Sequence, residues 1–135
     1  MQQIVDIARG YIGTAFHHQG RRPGVGLDCA GIVICAAWQA GIGIDDIEGY
    51  GERPEPQVLL RHLADQLVRV EVGSIAEAEP GTVDAFWIGS RSRVQHLQII
   101  TGEGTMIGVE QDGEVEERAI PQGWADRLHS VWRMP

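Results

Sequence analysis

The chain has 135 residues, of which 43% are apolar and 22% charged; this usage is typical of a globular domain and excludes disordered and collagen-like classes. Nineteen acidic against eleven basic residues give a net charge of −8, which disfavours nucleic acids and anionic membrane surfaces as partners. We expect a single domain over residues 1–135.

The sequence contains no apolar run long enough to span a membrane. The first residues lack the basic region and the apolar stretch of a secretory signal. We therefore expect synthesis in the cytoplasm without a signal peptide, or export as part of a larger assembly, and no membrane insertion.

Three helices are predicted in the first half of the chain. Apolar residues at helical spacing indicate the first over Gln2 to Ile12. The second follows Asp28, a suitable N-cap, and ends at Gly41; it is apolar nearly all round, so we expect it to be buried. The third covers about Pro56 to Val68. The Gly-rich stretch from His17 to Gly26 predicts an irregular loop over a site.

Short strands separated by Gly-containing turns are predicted in the second half. Helices first and hairpin-linked strands second predict an α+β domain with an antiparallel sheet. The predicted strands are Thr82 to Ile88, Val94 to Thr101, Thr105 to Val109, Val115 to Ile120 and Ser130 to Trp132.

Cys29 is the candidate nucleophile. A thiol attacks only as thiolate, and the first turn of a helix lowers a thiol pKa through its unpaired N–H groups and its positive dipole end. The same N–H groups, including that of Cys29, can hold the oxyanion of a tetrahedral intermediate. Gly31, one turn into the helix, indicates that something approaches closely there. The alternative is that Cys29 is a small apolar core residue, as we expect for Cys35, and a disulfide between the two is not expected because they point to different faces.

His96 is the candidate base, because it lies within an apolar strand where a polar ring must find a partner. Catalytic Cys and His residues meet in space and not in sequence, although a structural strand histidine is the alternative. His17 and His18 lie in the loop next to the nucleophile, where they could line a substrate cleft or bind a metal. Since no CxxC or HExxH spacing is present, we expect neither a metal site nor a cofactor.

Four segments together resemble the NlpC-type cell-wall cysteine peptidases, and the likeness spans nearly the whole chain. The His18-Gln19 pair before the Gly-rich loop and the ending Val131 to Pro135 are most similar to the branch found in phage tails and gene transfer particles. The four segments are Ile12 to Gly20, Gly26 to Val33, Pro80 to Val83 and Gln95 to Ile100.

The resemblance implies a papain-like α+β fold, in which N-terminal helices carrying the Cys pack on a C-terminal sheet carrying the His. It implies hydrolysis of peptidoglycan stem-peptide amides, typically between γ-D-glutamate and the diamino acid, with Cys29 as nucleophile and His96 as general base. Asp28 matches an acid that helps to recognise the substrate's free amine. The implied partners are the stem peptide and phage-tail proteins. The predicted substrate-binding residues are Asp28, Phe16, His17 and His18.

Three positions depart from the family pattern. The residue that usually orients the base is His, Asn or Gln, and here it is Gly108. Glu110 is the next side chain on that strand face able to accept a hydrogen bond from His96, so we predict it as a substitute, with a backbone carbonyl or water as rivals. Phe16 replaces a tyrosine whose hydroxyl lies near the nucleophile, and Ala30 replaces a frequent serine, which weakens the case for amine-terminated substrates.

Two functions from different classes follow from these residues. The first is an endopeptidase acting by acyl transfer on Cys29. The second, motivated by the three departures, is a catalytically weakened tail component that binds wall peptide or a neighbouring tail protein. A thiol acyltransferase on the same fold would require an apolar groove for an acyl chain.

Overall fold

The computed structural model describes residues 1–51, 57–87 and 94–135. Three α-helices lie in the first half of the chain, and most of the strands follow them. The helices are α1 (Gln2–Arg9), α2 (Cys29–Gln39) and α3 (Val58–Gln66). Two 3-10 helices cover Ile75–Glu77 and Gln122–Arg127.

The strands form a two-stranded ribbon and a six-stranded antiparallel sheet in the order β3-β8-β4-β5-β6-β7. The ribbon consists of β1 (Arg21–Arg22) and β2 (Gly26–Leu27). The strands of the large sheet are β3 (Val68–Val70), β4 (Val83–Trp87), β5 (Val94–Ile100), β6 (Thr105–Gly108), β7 (Glu116–Ala119) and β8 (Leu128–Arg133).

The main core lies between the helices and one face of the large sheet. Helix α2 is buried on every side from Ala30 to Ala37 because it packs between α1 and β5. Leu97 and Ile99 of β5 belong to this core. The intervening residues of β5 point to the other face, where Ile100 joins a smaller apolar cluster.

The predicted fold class is confirmed: N-terminal helices pack on a C-terminal antiparallel sheet. The predicted helix over Gln2 to Ile12 is shorter, since the helix ends at Arg9. The predicted start of the third helix at Pro56 and the predicted strand end at Ile88 lie outside the described residues. Part of the loop predicted to be irregular forms the β1–β2 ribbon. In the part of the chain that the structure describes, no helix has the length and apolar character needed to cross a membrane.

Candidate active site

The side chain of Asp28 determines where α2 begins. Asp28 has an extended backbone, and its Oδ1 accepts a 2.8 Å hydrogen bond from the N–H of Gly31. Cys29 is therefore the first residue of the helix, as the sequence predicted, and is half-buried. Its position exposes it to the positive end of the helix dipole.

The sulfur of Cys29 lies at the middle of β5. The backbone N–H groups of Leu97 and Ala30 both point to it and stabilise its thiolate form. Leu97 directly follows His96 on the same strand. The fold thus brings the candidate nucleophile to the neighbour of the candidate base, although the two residues are far apart in sequence.

The prediction that Cys29 is ionised by its place at the helix start is wrong. Burial raises the pKa of the Cys29 thiol to about 11, and the negative charge of Asp28 acts in the same direction. The N–H groups of Leu97 and Ala30 and the charge of Arg21 lower this pKa, but by less. At neutral pH the group is a thiol, so a base must take its proton when the sulfur attacks.

The imidazole of His96 lies on the sheet face opposite Leu97 and is held between aromatic and acidic side chains. Only 12% of the side chain is exposed. Its ring centroid lies 5.6 Å from that of Trp124, which itself contacts Phe86, the residue opposite His96 on β4. The carboxylate of Glu110 lies near the ring, with Oε1 3.9 Å from Nε2 of His96. The structure therefore brings Glu110 to His96, but at an ion-pair distance that is too long for a hydrogen bond.

Asp28 is the centre of a buried polar network that the sequence analysis did not foresee. Both carboxylate oxygens are occupied: Oδ1 accepts from Gly31 and from Arg21 at 2.9 Å, and Oδ2 accepts from the N–H of Gln19 and from the hydroxyl of Tyr50. A substrate amine would have to compete with these donors for Asp28.

Arg21 connects this network to the rest of the loop region. Its guanidinium donates to Asp28 and, at 2.9 Å, to Asp46. It also donates to the hydroxyl of Tyr50 at 2.8 Å and to two backbone carbonyls. Arg21 and Tyr50 were not predicted as site residues, because their partners come from separate loops and no local spacing reveals such a contact.

The other predicted substrate-binding residues lie along the loop before α2. Phe16 is half-buried against the main core, and its backbone forms an isolated parallel β-bridge with Leu27. His17 is exposed. His18 is half-buried, and its Nε2 lies 3.0 Å from the backbone carbonyl of Tyr50. Of these three residues, only His18 is described with a hydrogen bond to Tyr50, whose hydroxyl donates to Asp28.

Two predictions about the helix itself are confirmed. Cys35 is a buried core residue and both cysteines are free thiols. Gly31 is required by close approach, because a Cβ there would lie 2.2 Å from the carbonyl oxygen of Gly20. The approaching group is thus the backbone of the preceding loop. Across the described ranges, no group of three or more His, Cys, Asp or Glu side chains is placed to hold a metal ion.

A buried helix that begins with a cysteine and packs on an antiparallel sheet is the arrangement of a papain-like α+β fold. The model of the NlpC/P60 family matches residues 13–133. The chain therefore belongs to the NlpC/P60 family, which includes peptidoglycan hydrolases. No curated protein sequence matches the chain.

Solved structures of the family share this fold. The NlpC/p60 domain of the peptidoglycan hydrolase SagA is 26% identical, with a TM-score of 0.67 and coverage of 98% of this chain and 97% of that one. RipB, a peptidoglycan hydrolase of Mycobacterium tuberculosis, is 18% identical, with a TM-score of 0.67 over 98% of this chain and 63% of its own. RipD from the same organism, a non-catalytic domain protein adapted to peptidoglycan binding, is 15% identical, with a TM-score of 0.63 over 97% and 94%.

Proposed function

We propose that the chain is a cysteine peptidase that hydrolyses amide bonds in peptidoglycan stem peptides, of the type between γ-D-glutamate and the diamino acid. The observation that carries this proposal is the placement of the Cys29 sulfur at the N–H of Leu97, next to His96, in an NlpC/P60 fold. The likeness to the SagA peptidoglycan hydrolase domain supports the substrate class.

The chemistry begins with proton transfer. His96 takes the Cys29 proton as the sulfur adds to the carbonyl carbon, which is the order that a neutral resting thiol requires. The N–H of Cys29, at the helix start, stabilises the oxyanion. The His96 imidazolium then protonates the leaving amine as the C–N bond breaks, which leaves a thioester. Water, deprotonated by His96, hydrolyses the thioester and restores the thiol.

The test is cleavage of purified stem-peptide fragments, with the new amine and carboxyl ends identified by mass spectrometry. Cys29→Ala should abolish cleavage, and Cys35→Ala, which changes the buried thiol of the same helix, is the matched control and should retain it. No cleavage by the wild-type protein, or equal cleavage by Cys29→Ala, would refute the proposed activity.

A second function is favoured by specific observations. The position of the usual orienting residue is Gly108, and the thiol pKa of Cys29 is raised to about 11. RipD is a family protein described as non-catalytic and adapted to peptidoglycan binding. If the same holds here, the chain binds wall peptide without cutting it. Fluorescence-detected binding of stem peptide to Cys29→Ala, together with an inactive wild type, would support this alternative.

The sequence likeness to the tail-associated branch supports a further proposal, that the protein acts from a phage or phage-like tail. Its partners would then include neighbouring tail proteins. Mass spectrometry of purified tail particles from a strain that carries the gene should detect the chain at a fixed ratio to tail proteins. Its absence from intact particles would contradict this assignment.

A further inference from the structure

The position of Gly108 on β6 is filled by another side chain. A Cβ built on Gly108 would lie 2.1 Å from Oε1 and 2.5 Å from Nε2 of Gln98. The φ of Gly108 is outside the left-handed region, so its backbone does not demand glycine. The space that a side chain at residue 108 would enter is therefore occupied by the amide of Gln98.

Gln98 also lies next to His96 on the same face of β5. The pairing of β4 with β5 is regular from Val83 opposite Ile99 to Phe86 opposite His96. Side chains two residues apart on a regular strand share a face and are separated by about 6.6 Å along it. The Gln98 amide thus has His96 beside it along the strand and Gly108 across from it.

The surroundings of Gln98 supply few other partners for its amide. The residue is 2% exposed. Directly opposite it on β4 lies Asp84, which is fully buried and whose Oδ2 has no hydrogen-bond partner. A buried carboxyl oxygen without a partner is costly. Nε2 of Gln98, on the residue paired with Asp84, is a donor that could satisfy this oxygen, and Oε1 would then be left to accept from the His96 ring.

Glu110 is a weaker candidate for the same role. Its Oε1 is 3.9 Å from His96, and its side chain is 52% exposed. The same oxygen accepts a 2.8 Å hydrogen bond from Arg118, which competes for it. An exposed and already paired carboxylate orients a neighbouring ring only weakly.

We propose that Gln98 is the positioning residue of His96, acting from β5 in the space that a side chain at residue 108 would occupy. Its carbonyl oxygen accepts a hydrogen bond from the imidazole N–H and so selects the tautomer whose other nitrogen accepts the thiol proton. This inference deepens the proposed peptidase function and rests on it.

The decisive variant is Gln98→Leu, which keeps a buried side chain of similar volume but removes the amide. We expect kcat on stem-peptide substrate to fall by roughly 10- to 100-fold with KM nearly unchanged, because the residue does not touch substrate. Gln3→Leu, the same exchange at an exposed position of α1, is the control and should leave kcat unchanged. Glu110→Gln should lower kcat by less than Gln98→Leu does. Gln98→Met covers the case in which the branched leucine disturbs folding.

A reciprocal exchange tests the shared space directly. The double variant Gln98→Gly with Gly108→His moves the orienting side chain from β5 to β6, and it should recover most of the kcat that Gln98→Leu loses. Gly108→His alone must displace the Gln98 amide, so it is the single-site comparison for the double variant. Wild-type kcat in both Gln98→Leu and Gln98→Met would overturn the proposal.

A measurement without turnover separates this inference from the proposed activity. The ring nitrogen chemical shifts of His96, measured by 15N NMR, should report one dominant tautomer in the wild type and a mixture in Gln98→Leu. Unchanged shifts in that variant overturn the positioning role even if the enzyme is active. A wild type without activity whose His96 tautomer still depends on Gln98 would refute the peptidase function alone.

Discussion

Substitution of Arg21 is the strongest test of the hydrogen-bond network around Asp28. Replacing it by methionine keeps much of the side-chain length but removes the charge and every N–H donor. The pair is well buried, with 14% of the Arg21 side chain and 6% of the Asp28 side chain exposed. Solvent therefore screens this ion pair only weakly. When the guanidinium is removed, water cannot fully solvate the Asp28 carboxylate in its place.

The expected loss of stability follows from what remains. Breaking a buried ion pair by removing one partner costs about 3–5 kcal/mol, since the other charge stays buried. Asp28 keeps its hydrogen bonds from Gln19, Gly31 and Tyr50, so we expect the lower end, about 3 kcal/mol. This is a large part of a typical domain stability of about 5–15 kcal/mol. The charge of Arg21 also lowers the pKa of Cys29, so its removal should raise that pKa and slow alkylation at neutral pH.

The assay is urea unfolding at pH 7 followed by tryptophan fluorescence, with the rate of Cys29 alkylation measured in parallel. The control is Arg22→Met, which removes the same charge from the neighbouring, exposed position and should change stability by less than about 0.5 kcal/mol. Equal unfolding midpoints for Arg21→Met and Arg22→Met would refute the reasoning about the network.

Three further changes have defined outcomes. In a Cys35→Ala background, alkylation of Cys29 by iodoacetamide should accelerate about tenfold per pH unit between about pH 7 and 9, because the pKa of about 11 lies above that range; a plateau below about pH 8 would contradict the raised pKa. Gly31→Ala places a Cβ 2.2 Å from a carbonyl oxygen and should cost about 1–3 kcal/mol in urea unfolding, whereas Gly43→Ala, where a Cβ meets nothing within 4 Å, should cost far less. Burial raises the pKa of Asp84 from 3.8 to about 7, so the folded state holds a proton that the unfolded state releases, and stability is lost as pH rises through this window. Asp84→Asn should therefore stabilise the protein at about pH 8 relative to pH 4, by up to about 4 kcal/mol, and an equal effect at both pH values would count against a buried, protonated Asp84.

Local sequence patterns predicted the elements that carry the site. Asp28 as N-cap and the apolar segment after it predicted α2 to within a residue of its observed start, because capping and periodicity act over a few neighbouring residues. The strand around His96 was predicted for the same reason. Gln98 could also have been predicted as a candidate site residue, because it is a polar residue in the same apolar strand as His96.

The protonation state of Cys29 could not be predicted from the residues near it in the sequence. The helix start lowers a thiol pKa, and that contribution was visible in the sequence. Burial and the charge of Asp28 raise the pKa of Cys29, and their effect is larger than that of the helix start. Burial depends on how β5 packs against α2, which the sequence near Cys29 does not contain.

The sequence by itself determined the order of the three helices and of strands β4 to β8, the residue that starts α2, and the choice of a cysteine and a strand histidine as candidate chemistry. These features follow from short-range periodicity and from the properties of single side chains. Only the tertiary structure decided that Arg21 and Tyr50 donate hydrogen bonds to the Asp28 carboxylate. It also decided that Cys29 is a thiol and that the Gln98 amide fills the space beside Gly108. Desolvation, charge pairing and steric exclusion join residues that are distant along the chain, so they exist only once the fold has formed.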